Sequence, residues 1–319
     1  ENDLNNFGLT IFDLKKLKGK RKIKFVQIDT LEQGLAAKEA GIEMIGTSYE
    51  QFKTHFPKQL KGVHFQFGLR WGNQASAEEA LRASMKAMND GAQSIYCPMS
   101  PSVVEVLSRE GIPVIAHAGL IPPKITLTGG YRAVGKSFDE AKMVWETAKR
   151  YESAGAFAIE LEVVPGKLAS EITKRTSLFT ISLGSGSKCD AQYLFSADIL
   201  GEKNDFLPRH AKRYKTLFKE HDRIHNERIN AYKEFINDVD NNLFEDKKYS
   251  VSMDDEVLNK FSNRVIVLGA VNRPGNYSIS ENMSVKELIN KSGGLKSDVY
   301  IKKATVTRTN KDYSTDIIS

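Results

Sequence analysis

The segments IPVIAHA (112–118), DEAKMVWETAKRYESAG (139–155) and FAIELEVV (157–164) decide the fold. The first and last are continuous apolar, β-branched runs, the pattern of strands covered on both faces. The middle one repeats apolar residues at helical spacing and stops at Gly155. Strand, helix and strand in that order imply two parallel strands joined by a right-handed crossover. Working outward, the same unit recurs. IKFVQID (23–29) precedes the helical LEQGLAAKEAG (31–41), and IEMIG (42–46) and VHFQFGL (63–69) are the next strands. AEEALRASMKAMNDG (77–91), QSIYC (93–97), SVVEVLSREG (102–111), GKLASEITKRT (166–176) and LFTISLG (178–184) continue the alternation. Seven strand candidates before residue 190 are about the supply an eight-fold barrel needs. A doubly wound open sheet is the rival, but no GxGxxG follows the first strand.

Composition narrows the rest. The chain has 319 residues, 40% apolar and 27% charged, with 46 basic against 40 acidic side chains, a net charge of +6. These values exclude a disordered chain. No run approaches the roughly 20 apolar residues of a bilayer span. ENDLNNFGLT has no basic segment ahead of an apolar core, so no signal peptide is expected in it, and the lack of an initiator Met points to residues upstream. Cys97 and Cys189 are too few for a disulfide framework or a thiolate zinc site, so inert thiols and a cytoplasmic setting are expected. The basic run KKLKGKRKIK (15–24) lacks interleaved aromatics and reads as a solvated face rather than a nucleic-acid patch.

From Arg209 to Asn241 the sequence is charged and helical in pattern, with Tyr214, Leu217, Phe218, Ile224 and Ile229 recurring near helical spacing. It is expected to form helices that close the barrel, with room for docking to a second subunit. His221 and His225 lie four apart, but no third ligand follows, so a solvated face is expected over a metal site. After Lys260 the order changes to strand, Pro274-Gly275 loop, strand, then SVKELINKSGG as a helix capped by Ser284 with Glu287 three residues on, and IKKATVTRTN as a further strand. The expected division is a barrel over 1–245, a linker over 246–262 and a small α+β module over 263–319.

Several motifs in one order carry a family resemblance. IPVIAHAGLIPPKITLTGGYRAVGKSFDEA (112–141) resembles the GHxGLTPQ…GGYKVQG pattern of ketopantoate (3-methyl-2-oxobutanoate) hydroxymethyltransferases. ESAGAFAIELEVVPGKLASEIT (152–173) is similar to that family's AGAFAIVLECVP…LAxxIT, LGSGSKCDAQYLFSADILG (183–201) to IGAGxxCDGQVLVxHDLLG, and LPRHAKRY (207–214) to VPRFVKRY. The resemblance runs from about residue 10 to 245. It implies a (β/α)8 TIM barrel of the phosphoenolpyruvate mutase/isocitrate lyase-like type, a cytoplasmic homo-oligomer, and a small 2-oxo acid substrate. The residues after 263, VIVLGAVNRPGNYSISENMSVKELINKSGGL, resemble the SLBB β-grasp module, which implies a soluble ligand or protein partner for the tail.

The family reaction moves a hydroxymethyl group from methylenetetrahydrofolate to 2-oxoisovalerate, giving ketopantoate for pantothenate synthesis. It needs a base at C3 and positive charge at the enolate oxygen, which the family supplies with Mg²⁺. By the LECVP match, here LEVVP, Glu162 stands at the family's catalytic glutamate, and flanking Leu161 and Val163 would raise its pKa by desolvation. His117 matches the GHxGL histidine, either as a donor to the keto oxygen or as a satisfied core residue. The metal positions depart from the pattern. GDSLG reads GTSYE (46–50), with Thr47 at the aspartate, Ser48 beside it and Glu50 a carboxylate nearby. ADLPF reads FGLRW, with Gly68 at the second aspartate, and VKIEGG reads SIYCPM, with Tyr96 at the lysine and Pro98 at the glutamate. No metal ligand is expected there. Thr47, Ser48 and Arg70 become the expected substrate contacts, Arg70 as a fixed charge in place of the ion or as a surface residue. The loops 129–131 and 184–186 have no transferable ligand role. Three readings follow: the family's transfer, a silent homologue acting as a scaffold through its tail, and a related carbon–carbon bond enzyme on another 2-oxo acid.

Overall fold

A computed structural model describes residues 8–48, 59–70, 72–246, 248–299, 305–309 and 315–318. Eight parallel strands close into a barrel: β1 Ile23–Gln27, β2 Met44–Ser48, β3 His64–Gly68, β4 Ser94–Tyr96, β5 Val114–Gly119, β6 Ala158–Glu162, β7 Phe179–Leu183 and β8 Ala191–Phe195. All seven strands anticipated from sequence are present, and three of the helices between them begin at a side-chain cap. Thr30, Ser76 and Ser137 accept from the backbone N–H three residues on, which satisfies an otherwise orphaned donor.

Two apolar layers give the barrel its rigidity. Outward residues such as Ile45, Phe65, Phe67, Ile95, Val114, Ile159 and Leu161 pack with Ala80, Val104, Leu107, Ala148, Ala169 and Ile172 of the surrounding helices. Inside, Ile23, Phe25, Met44, Ile115, Ala158, Phe179, Ile181 and Ala191 fill one end. Following the register along the same inward positions, Phe25 is succeeded by Gln27, His64 by Gln66, Ile115 by His117, and Ala158 by Glu160 and then Glu162. The plugged end is apolar and the strands' C-terminal end is polar, which is where barrels place their chemistry.

Barrel closure differs from the expectation. β8, hidden in the motif CDAQYLF, pairs with β1 over five positions from Ile23↔Ala191 to Gln27↔Phe195. Asp190, one residue earlier, accepts hydrogen bonds from Gly19 N, Thr180 N, Thr180 Oγ1 and Lys18 Nζ, each at 2.9 Å. The expected closing helices do not form as drawn. Residues 209–216 are not helical, because donors in them turn back on the preceding segment: Tyr214 and Lys215 N–H both donate to Ile199 O. One helix, Leu217–Asp240, follows with no buried residue, and His221 and His225 on it are exposed.

Contacts divide the chain into two units, at Glu227/Arg228, each compact by itself. In the second unit a helix, Asp255–Ser262, lies within the stretch anticipated as linker. β9 Arg264–Val267 and β10 Gly275–Ser278 form an antiparallel hairpin, followed by helix Val285–Lys291, whose capping box pairs Ser284 and Glu287. β11 Val306–Thr309 pairs with β12 Thr315–Ile318. Among the described residues of this unit only Val271 and Ser292 are buried, a thin core for its length.

Candidate active site

The polar end of the barrel opens into a cavity of about 1290 Å³. Its wall includes Ser48 and Thr47 from β2, Gln66 and Gly68 from β3, Arg70 just beyond, Tyr96 from β4, Glu160 and Glu162 from β6, and Tyr193 from β8. Four of the five residues anticipated at the site therefore line one space, and His117 sits behind them. Tyr49, Glu50 and Trp71 lie outside the described residues.

Glu162 ends β6, and the backbone around it is tightly fixed. Gly119 on β5 pairs with it at φ +104°, and a Cβ there would meet Glu162 O at 2.2 Å. Leu120 N–H donates to that same carbonyl. Val163, the next residue, has φ 51°, a left-handed conformation that a β-branched residue adopts only under constraint. Its N–H donates to Leu183 O, and Val164 N–H donates to Ser185 Oγ, whose hydroxyl donates to Leu161 O. The loop 184–186 thus serves as a clamp on the strand end. Burial pushes the Glu162 carboxyl up to about 8.

His117 is a closed residue. Its Nε2–H donates to Leu120 O at 2.6 Å, and its Nδ1 therefore accepts from Tyr96 Oη at 2.9 Å. Burial pushes its pKa down to about 4, so the ring is neutral. It approaches Glu160 at 3.7 Å and Glu162 at 3.6 Å, beyond hydrogen-bond range. On the facing wall, Arg70 Nη2 donates to Ser48 Oγ at 3.0 Å, and Thr47 Oγ1 donates to Ile28 O. Gln66 Oε1 is buried with no hydrogen-bond partner among the described residues, an acceptor that a ligand N–H or O–H would satisfy.

Sequence reading passed over Glu160. The family's AIVLE reads AIELE here, and the substituted residue is 4% exposed, two positions before Glu162 on the same inward face. The signal was present as a carboxylate inside an otherwise apolar strand. It also gave no role to LPRHAKRY, whose Pro208, Arg209 and His210 line the cavity.

A divalent ion does not fit its family position. Thr47, Gly68 and Pro98 line the cavity there without a carboxylate. A Cβ on Gly68 would meet only ordinary contacts at 3.5 and 3.8 Å, so space is not what excludes an acid. A second group, His117, Glu160 and Glu162, offers one ligand atom each within 4.8 Å of one another. Both nitrogens of His117 are already engaged, however, and two buried carboxyls without further fixed oxygen ligands make a poor octahedral cage.

A profile of the family described as ketopantoate hydroxymethyltransferase matches residues 67–247, and one of the SLBB domain matches 264–315. The 3-methyl-2-oxobutanoate hydroxymethyltransferase of Clostridium kluyveri is 38% identical over 57% of this chain and 60% of its own length. That of Thermotoga maritima is 31% identical over 76% of this chain and 96% of its own. Among solved structures, the chain is similar to a 2,3-dimethylmalate lyase of the PEP mutase/isocitrate lyase superfamily, at 11% identity and TM-score 0.43, over 59% of this chain and 81% of that one. With the profile spanning over half of the sequence and the Thermotoga relative matched almost end to end, the chain belongs to the ketopantoate hydroxymethyltransferase family and carries an SLBB domain after its barrel.

Proposed function

We propose that the barrel binds a small 2-oxo acid and removes its C3 proton, with Glu162 as base, in a hydroxymethyl transfer from methylenetetrahydrofolate to 2-oxoisovalerate that yields ketopantoate. The observation that carries this reading is the Glu162 carboxyl: it faces the cavity from a fixed strand end, with a pKa that burial raises to about 8. A base is most effective when its pKa lies near the working pH. Arg70 and Ser48, across the barrel, supply a charge and a hydroxyl suited to the substrate carboxylate. Thr47 lends its backbone to that wall, and His117 acts by fixing Leu120 and Tyr96 beside the base. The cavity has room for a 2-oxo acid together with a bulkier one-carbon donor.

In this reading residues 1–245 form the catalytic part, working as a homo-oligomer, while 263–319 bind a soluble ligand or protein partner. The apolar stripe of Tyr232, Phe235, Ile236 and Val239, exposed on helix Leu217–Asp240, supports association. A second reading, a silent homologue acting through its tail, is favoured by the three carboxylate-free positions 47, 68 and 98.

The test is deuterium exchange at C3 of 2-oxoisovalerate, followed by ¹H NMR in D₂O. Exchange that rises with pH toward an apparent pKa near 8, and falls at least about 1000-fold in Glu162→Gln, is expected. A folded wild-type chain without exchange would instead establish the silent reading.

A further inference from the structure

We propose that Glu160 does the work the missing metal does elsewhere in this family: its carboxyl O–H donates to O2 of the 2-oxo acid while Glu162 takes the C3 proton. The inference rests on the proposed function above and deepens it.

The geometry singles out this residue. Glu160 lies on β6 two positions before Glu162, so both side chains enter the barrel from one face, and both line the cavity. The tyrosine and histidine donors around it are committed elsewhere. Tyr96 Oη donates to His117 Nδ1, Tyr193 Oη donates to Gln27 Oε1, and the His117 Nε2–H donates to Leu120 O. Among the described residues no donor hydrogen-bonds Glu160, and the neutral His117 ring stands 3.7 Å away. A buried carboxylate with no donor and no counter-charge is costly, whereas the neutral acid needs only an acceptor. Burial and then the neighbouring Glu162 charge hold Glu160 well above the usual carboxylate range, in keeping with that state. A neutral carboxylic acid in an apolar site is an effective donor to an enolate oxygen.

The step balances. The C3–H electron pair becomes the C2=C3 bond as the proton moves to Glu162. The C2=O2 π pair moves onto O2, which receives the Glu160 proton, giving the neutral enol function. The two side chains exchange protonation states, so the pair carries one negative charge before and after. No charge is created in the low-dielectric interior, and no ion is needed to absorb one. When Glu162 returns a proton to C3 in the exchange reaction, the O2 proton returns to Glu160 and both side chains regain their starting states.

The experiment uses the intact chain, 2-oxoisovalerate and the C3 exchange assay, with EDTA present and with Mg²⁺ added. Exchange should proceed in EDTA and be unchanged by Mg²⁺. Glu160→Val, which installs the residue of the family pattern, should lower exchange about 100- to 1000-fold. It should also melt at a higher temperature than wild type, since an apolar group replaces a buried acid. Glu160→Gln, whose amide N–H still donates, should lose far less. Exchange that requires Mg²⁺ overturns the inference, as does calorimetric Mg²⁺ binding that disappears in Glu160→Val. Loss of exchange in Glu162→Gln with none in Glu160→Val overturns it while leaving the proposed function standing. Absence of exchange in wild type overturns both.

Discussion

The two walls of the barrel mouth have been treated differently. The wall built from β5 to β7 keeps the family's sequence pattern almost intact, and its loops bind one another closely around the end of β6. The wall built from β2 to β4 presents Thr47, Ser48, Gly68, Tyr96 and Arg70, with no carboxylate among these five. Under the proposed function, proton transfer and metal binding are separable duties of such a barrel. The first needs a carboxyl of fixed direction and low hydration, and the second a cluster of hard oxygens at set spacing. One can be dismantled while the other stands, because each draws its residues from different strands.

Three experiments bear on this contrast. The largest effect is expected on the conserved-pattern side. Gly119→Ala places a methyl group against Glu162 O and forces a left-handed alanine. It should cost about 3 kcal/mol in denaturant unfolding and, by displacing the base, about 100-fold in C3 exchange. A milder loss of exchange would mean that the β6 end is less constrained than its hydrogen bonds imply. On the rewritten side, Gly68→Asp places a carboxylate at a position with space for it. A calorimetric Mg²⁺ affinity at least about tenfold above that of wild type should appear at that wall. If it does not appear, the difference between the walls lies deeper than the missing ligands.

The smallest effect is a pH dependence. Glu162 has a folded pKa of about 8 against an ordinary value of 4.5. Between those values the native chain holds a proton that the unfolded chain has released, so stability should decline as pH rises across that window and level off above it. In Glu162→Gln the decline should be shallower by this one group. Parallel melting curves for the two proteins from pH 5 to 9 would contradict the burial assigned to this carboxyl.

Much of this was legible in the sequence because burial on both faces writes long apolar runs, and seven strands announced themselves in that way. β8 did not. Gln192 and Phe195 on it are exposed and Leu194 only partly covered, so its hydrophobic signal is diluted. The segment 209–216 looked helical because it is charged and amphipathic, but its donors at 214 and 215 found the carbonyl of Ile199 first. At the site, Glu162 and the altered positions 47, 68 and 98 could be read by comparing motifs. Glu160 could not be read by hydrophobicity, since a carboxylate on a buried strand runs against the pattern that defines the strand. Its partners in space, Tyr96, His117 and Tyr193, come from three other strands, and only the closed barrel brings them together.

The left-handed backbone at Val163 has a further consequence. Holding a β-branched residue there costs of order 1–3 kcal/mol, and the chain tolerates that cost immediately after the carboxyl that faces the cavity. The direction of that side chain is thus settled during folding rather than on ligand arrival. Preorganisation of this kind spares a catalyst the reorientation of its own dipoles at the moment of reaction, and here it resides in a single torsion angle.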